Sequence, residues 1–288
     1  MSETLATQFE TYRPLLFGLA YRMLGTATEA EDIVQDVYLR ARSVPLAQVE
    51  NVKAYLTTIA TRLSLNRLQS ASQQRETYLG PWLPEPVPNP QDQTILHDSL
   101  SMAFLMLLEK LSPAERAVFL LHELFDYSYA EIGAMLDKSD AACRQLGSRA
   151  RQHIAANRVR YNSDPAEQER LLRGFLQVVE VGDMAGFLAM LTEDVTLVPD
   201  GGGERGAAIK VLRGPESVAQ FMLGVRKLSP TGLKAEVVSL NGHPALLLTA
   251  HGKPFVVICV YAVDGRINLI QLIAGQKLAH LQINAANL

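Results

Sequence analysis

SYAEIGAMLDKSDAACRQLGSRARQH, residues Ser128 to His153, reads as two helices joined by a three-residue turn. Ser128 and Glu131 have capping-box spacing: the hydroxyl accepts from the third helical amide and the carboxylate reaches back to the amide of the cap. Tyr129, Ile132, Met135 and Leu136 then recur at helical spacing and form one apolar face. Asp137-Lys138-Ser139 interrupts the helix, because Asp tolerates the left-handed conformation of a tight turn and Ser139 can cap the next helix. The second helix turns Ala142, Cys143 and Leu146 inward and leaves Arg144, Gln145, Ser148, Arg149 and Arg151 outside. Between Lys138 and Arg160 there are six Lys/Arg against one Asp, in a chain of net charge -3. A local basic excess on the second helix of a helix-turn-helix is the footprint of a major-groove reader. There Arg144 and Gln145 suit base edges, while Arg149 and Arg151 suit phosphate. A solvated basic helix in an all-helical protein shows the same pattern.

The chain has 288 residues, enough for more than one core, and 48% hydrophobic content marks it as folded. No apolar run reaches the ~18 residues of a membrane-spanning helix, and the N-terminus lacks a basic-then-apolar leader, so a cytoplasmic location is expected. Cys143 and Cys259 stand far apart and imply neither a disulfide framework nor a metal site.

Upstream, residues 5 to 24 place Phe9, Tyr12, Leu16, Leu19 and Met23 on one stripe, and Gly25 ends that helix. A capping box at Thr28 and Glu31 is expected to open a second helix through about Arg42, with Ile33, Val34 and Val37 inward and Asp32, Gln35, Asp36 and Arg40 on a polar strip. Taken alone that strip is a solvated helix face. A third helix, about Ala54 to Leu68, carries Arg62, Asn66 and Arg67 outward, where they could meet phosphate or base. YLGPWLPEPVPNPQD (Tyr78–Asp92) then holds five prolines and can neither continue a helix nor enter a sheet interior. It also holds Trp82, the sole tryptophan, so it reads as a semi-rigid linker that docks against something. Helices resume near Thr94, and Ser112-Pro113-Ala114-Glu115 opens the one before the helix-turn-helix.

EDIVQDVYLR (Glu31–Arg40), LSPAERAVFLLHELFDYSYAEIGAMLDKS and AACRQLGSRAR together resemble the two conserved regions of extracytoplasmic-function (ECF) sigma factors. WLPEP (Trp82–Pro86) and DGGGE (Asp200–Glu204) narrow the likeness to the SigJ-like group, which carries a C-terminal SnoaL-like domain. Two positions depart from that group: a C-terminal Asn-Pro-Asp-Lys-Leu motif reads AGQKL (Ala274–Leu278), keeping Lys277 and Leu278, and the glycine usual in the helix-turn-helix turn is Asp137. The resemblance implies two all-α domains followed by an α+β SnoaL/NTF2-like cone, at residues 1–75, 94–160 and 164–288, with a linker at 76–93. Its implied partners are core RNA polymerase and promoter DNA, with no membrane, metal or cofactor. Asp32, Gln35, Asp36 and Arg40 would meet polymerase. Arg62, Asn66 and Arg67 would serve the -10 element, and Ser139, Arg144, Gln145, Ser148, Arg149 and Arg151 the -35 element.

Past Asp164-Pro165 two helices give way to strand-like alternation, with Asp264-Gly265 as a hairpin turn, so helices followed by a curved antiparallel sheet are expected. Asp194, Asp200, His251 and Tyr261 are the candidate bases of an enzyme there, but no second catalytic group stands at a telling spacing. An enzyme or ligand sensor fused to a DNA-binding module is the alternative, its ligand unknown. For a regulatory domain instead, Trp82, Leu83 and Pro84 of the linker are expected to face Asp200, Gly201, Gly202 and Gly203, since glycines permit close approach.

Overall fold

The computed structural model describes residues 5–44, 49–75, 78–88, 101–157, 164–203 and 210–281. The expected onset of a helix near Thr94, and Glu204 of the glycine loop, lie outside them. The chain divides into two compact units, the first of helices, the second of the proline-rich segment, residues 101–103 and the C-terminal domain.

In the helical unit, α1 (Leu5–Leu24), α2 (Ala27–Ala41) and α3 (Val52–Arg75) pack around Leu16, Leu19, Ile33, Val37 and Leu56, all of them buried. Helix α2 starts earlier than Thr28 suggests. Gly25 takes a positive φ and Thr26 is the extended cap, its hydroxyl donating to Glu29 at 2.8 Å. Thr26-x-x-Glu29 repeats the Thr28-x-x-Glu31 spacing, and the glycine stop decides between them; Glu31 pairs instead with Arg13 at 2.6 Å. Helix α3 runs beyond both expected ends, opened by the Asn51 side chain accepting from Ala54 N at 3.0 Å.

After α4 (Met102–Leu108) come α5 (Pro113–Glu123), α6 (Tyr129–Leu136) and α7 (Asp140–Asn157). Both α5 and α6 begin with complete capping boxes, Ser112–Glu115 and Ser128–Glu131. These two helices pack on α1–α3 within the same unit. The buried Arg116 guanidinium donates to Met23 O at 2.6 Å and to Glu109 at 2.7 Å, and Tyr127 donates to Thr57 at 3.1 Å. Arg116→Ala strips a buried acceptor and a carboxylate of their shared donor. It is expected to lower the unfolding free energy of the full chain by about 3–5 kcal/mol, measured by urea denaturation followed by helical circular dichroism; an unchanged midpoint would show that this junction carries no weight.

In the second unit, α8 (Pro165–Val181) and α9 (Met184–Met190) lead into β1 (Leu191–Asp200). Next along the chain are β2 (Leu212–Arg213), α10 (Pro215–Leu228), β3 (Lys234–Leu240), β4 (His243–Ala250), β5 (Lys253–Val263) and β6 (Arg266–Ala274), with a 3-10 turn at Gly275–Leu278. The sheet order is β2-β1-β6-β5-β4-β3. Strands β3 to β6 form an antiparallel meander, but β1 pairs with β6 in parallel, so the sheet is mixed where an antiparallel one is expected. Strand alternation fixes which face is buried and leaves the direction of the partner open. Asn241-Gly242, His251-Gly252 and Asp264-Gly265 each place two positive φ values at a hairpin corner, the geometry of type I′ turns. The core between sheet and helices holds Leu172, Phe175, Phe187, Val218, Val260 and Ile270.

Candidate nucleic-acid interface and the linker latch

The helix-turn-helix has the geometry its sequence suggests. Asp137 sits at φ 53°, and Ser139 caps α7 by accepting from Ala142 N at 3.2 Å. Two glycines that carry no signal in the linear pattern set the helix crossing. A Cβ on Gly133 would lie 2.7 Å from Lys138 O, and one on Gly147 2.7 Å from the Tyr129 hydroxyl. Cys143, Gly147, Ala150 and Ile154 are buried, which leaves Arg144, Gln145 and Ser148 exposed along one side of α7. Arg144 pairs with Asp140 at 2.6 Å and lies 5.7 Å from the Tyr129 ring centre. Arg149 and Arg151 turn back toward α5, to Glu115 at 3.2 Å and Glu123 at 2.9 Å. Ion pairs of exposed arginines such as these contribute little to stability.

On α3, Asn66 is exposed, Arg67 lies 3.9 Å from Asp32, and Arg62 reaches across to α6. Its guanidinium donates to Met135 O at 2.7 Å and to Asp137 at 2.9 Å, closing the end of α6 at the helix-turn-helix turn. On α2, Asp32, Gln35, Asp36 and Arg40 share the exposed face, and Leu39 stands among them 45% exposed.

The second constellation is the linker latch. Asp200, at the end of β1, is fully buried, and both its oxygens are taken. Oδ1 accepts from the Tyr78 hydroxyl and from Gly202 N at 2.9 Å; Oδ2 accepts from Leu83 N and from Lys277 Nζ, each at 2.6 Å. The Lys277 ammonium also donates to Leu83 O and lies 4.1 Å from the Trp82 ring centre, so its donors and its charge are both satisfied. Burial first, and then the hydrogen bond to Asp200, push the Tyr78 phenol above its usual range and keep it a donor. Past the aromatic pair, Val87 exchanges two hydrogen bonds with Asn241, at 2.8 and 2.9 Å, and Pro86 O contacts His280 Nε2 at 2.7 Å.

The ring over the glycine loop belongs to Tyr78, not to Trp82. A Cβ on Gly203 would lie 3.0 Å from the Tyr78 ring, and Trp82 covers Lys277 instead. Pro84 is buried alongside, and Gly201 is half-buried. Of AGQKL, the two residues shared with the group's motif, Lys277 and Leu278, are the two that are buried. The four candidate bases do not converge. Asp194 is exposed and accepts from Asn268 at 2.9 Å, and His251 occupies an exposed hairpin corner at φ 51°. Tyr261 is buried and accepts from Ala103 N at 3.2 Å, while Asp200 serves the latch. Burial pushes the Cys259 thiol up to about 12, out of reach of nucleophilic use. No helix among the described residues is long and apolar enough to cross a membrane.

Residues 8–74 match the family model of sigma-70 region 2, and residues 101–154 that of sigma-70 region 4. The chain therefore carries both sigma-70 regions, followed by an added domain of helices and a mixed sheet. It is 37% identical over 234 residues to the ECF RNA polymerase sigma factor SigJ of Mycobacterium tuberculosis, covering 79% of this chain and 75% of the other. It is 29% identical over 283 residues to the probable ECF RNA polymerase sigma factor SigI of the same species, covering 95% and 91%. The crystal structure of Mycobacterium tuberculosis SigJ superposes with a TM-score of 0.76 at 30% identity, covering 95% of this chain and 98% of that one. The chain belongs to the ECF family of RNA polymerase sigma factors, a family of transcription initiation factors and not of enzymes.

Proposed function

We propose that this sigma factor meets core RNA polymerase through the α2 face of Asp32, Gln35, Asp36, Leu39 and Arg40, and reads the -35 element with Arg144 and Gln145 of α7. Arg149 and Arg151 serve phosphate there, while Asn66 and Arg67 of α3, with Arg62 once it leaves α6, serve the -10 element. The C-terminal domain regulates initiation in cis by holding the linker between the promoter-reading regions. The observation that carries this reading is the exposed side of α7, where Arg144, Gln145 and Ser148 line up beyond a wholly buried opposite face.

Run-off transcription with purified core polymerase on genomic fragments tests the reading, and absence of promoter-specific transcripts would overturn it. At the level of residues, loss of one bidentate base contact in Arg144→Ala or Gln145→Ala should cost ~1–3 kcal/mol and relax selection at one position. Arg149→Ala and Arg151→Ala should instead weaken all sequences alike and lower the salt slope by about one. Promoter titrations at several salt concentrations separate the two classes; an unchanged preference in the Arg144→Ala, Gln145→Ala double variant removes α7 from base reading.

A further inference from the structure

The C-terminal domain encloses a cavity of about 700 Å³ between the sheet and helices α8 and α10. Phe175, Phe221, Met222, Leu248, Ile258 and Leu272 are among the side chains that line it. That volume lies within the range of pockets for drug-sized ligands, and the apolar lining with few polar groups is their usual character. Among the described residues, three ionisable ones border it: Asp200, Glu180 and Arg226. Asp200 is consumed by the latch, since its oxygens already accept from Tyr78, Leu83, Gly202 and Lys277. Among the described lining residues no further titratable side chain faces the interior, and the apolar lining suits binding. Glu180 and Arg226 are exposed, at the last turns of α8 and α10, and bring one acceptor and one donor of opposite charge to the rim. A charged ligand gains from one and is repelled by the other. A hydroxyl or carbonyl on an otherwise apolar body can use the pair without either penalty.

One wall belongs to two structures at once. Pro199, Asp200, Gly201 and Ala274 border the cavity, and the same Asp200 holds Leu83 N and Lys277 on its other side. Gly202 seals the two strands against each other, with room for a Cβ only 3.2 Å from Ala274 O. A molecule in the cavity therefore leans on the β1–β6 ends that carry the latch. We propose that this cavity is the binding site of an uncharged, drug-sized lipophile bearing one hydroxyl or keto group at the Glu180–Arg226 rim, and that its occupancy is coupled to the linker through Pro199–Gly201. The regulatory half rests on the cis-regulation proposed above; the binding half does not.

The sole tryptophan, Trp82, lies in the latch and reports on it directly. Full-length protein is titrated with the neutral dye Nile red, then with 1-dodecanol and dodecanoate as competitors, and Trp82 emission is recorded with dodecanol alone. Ala235 and Leu248 both line the cavity and are half-buried, so Ala235→Phe and Leu248→Phe fill it from two different strands. Expected are saturable one-to-one dye binding, displacement by dodecanol at lower concentration than by dodecanoate, and a Trp82 change that saturates with dodecanol. Dye affinity should drop at least tenfold in whichever filled variant keeps the wild-type melting temperature. Non-saturable dye binding, or undiminished binding in a folded filled variant, overturns the site. Preference for dodecanoate overturns the assigned ligand class, and saturable binding with a silent Trp82 overturns the coupling. None of these readouts involves polymerase, so failure here leaves the promoter-reading assignment standing, and failure of transcription leaves the binding result standing.

Discussion

Asp200→Asn is expected to release the linker from the C-terminal domain. The substitution leaves the Lys277 ammonium 8% exposed, beneath Trp82, without its counter-charge. Breaking one side of a buried ion pair costs about 3–5 kcal/mol, because the Leu83 carbonyl and the Trp82 ring that remain beside the ammonium do not replace its counter-charge. Undocking residues 78–88 relieves that strain at less cost than unfolding the sheet, so the effect should be local. Trp82 emission should shift to the red and the linker should become sensitive to protease, while the main unfolding transition moves less. Removing both charges, in Asp200→Leu with Lys277→Met, should be milder than Asp200→Asn alone, since no orphan charge remains. Wild-type Trp82 emission in Asp200→Asn would mean that the carboxylate does not hold the linker. Run-off transcription on the same variant then reads whether linker release changes initiation.

The second large effect concerns the polymerase face. Asp32 and Asp36 are one helical turn apart on the exposed side of α2. Reversing both, Asp32→Arg with Asp36→Arg, changes the local charge by four on a surface that buries nothing of the fold. Charge repulsion across a matched interface costs several kcal/mol, so affinity for core polymerase should fall by about 100-fold or more. The pair of Asp32 with Arg67 is long and exposed, so its loss should barely move the melting temperature. Glu10→Arg, also exposed but on α1, serves as the control. Pull-down at moderate salt decides the matter: wild-type affinity in the double variant would clear α2 of the contact.

Local chemistry was legible in the sequence and distant chemistry was not. The boxes at Ser112 and Ser128, the left-handed turn at Asp137 and the hairpin at Asp264-Gly265 each depend on residues within four positions of one another. The Thr28 reading failed on the same local scale, because two equivalent spacings overlap and only the glycine stop separates them. Trp82 announced that the linker must dock, since a large ring in a spacer demands cover. The approach of the linker to Asp200–Gly203 was expected from its glycines; that Lys277 covers Trp82, and that Tyr78 is the ring on Gly203, could not be read, because no spacing singles out which distant side chains meet. The parallel partnership of β1 with β6 stayed hidden for the same reason. Arg62 was legible as an outward cation, but its grip on the carbonyl of Met135 was not; the helix packing that brings α6 within reach is set by buried volume, not by charge spacing.

The latch also has a history within the life of each molecule. Lys277 and the Leu83 carbonyl it binds are 194 residues apart in the chain. At a ribosome speed of roughly 5–20 residues per second, about 10–40 s pass between synthesis of the one and synthesis of the other. Throughout that interval the aromatic linker is already made and its clasp does not yet exist. Every new molecule thus passes through an unclasped youth, and a message cut short ahead of the Lys277 codon would leave the protein in that state permanently.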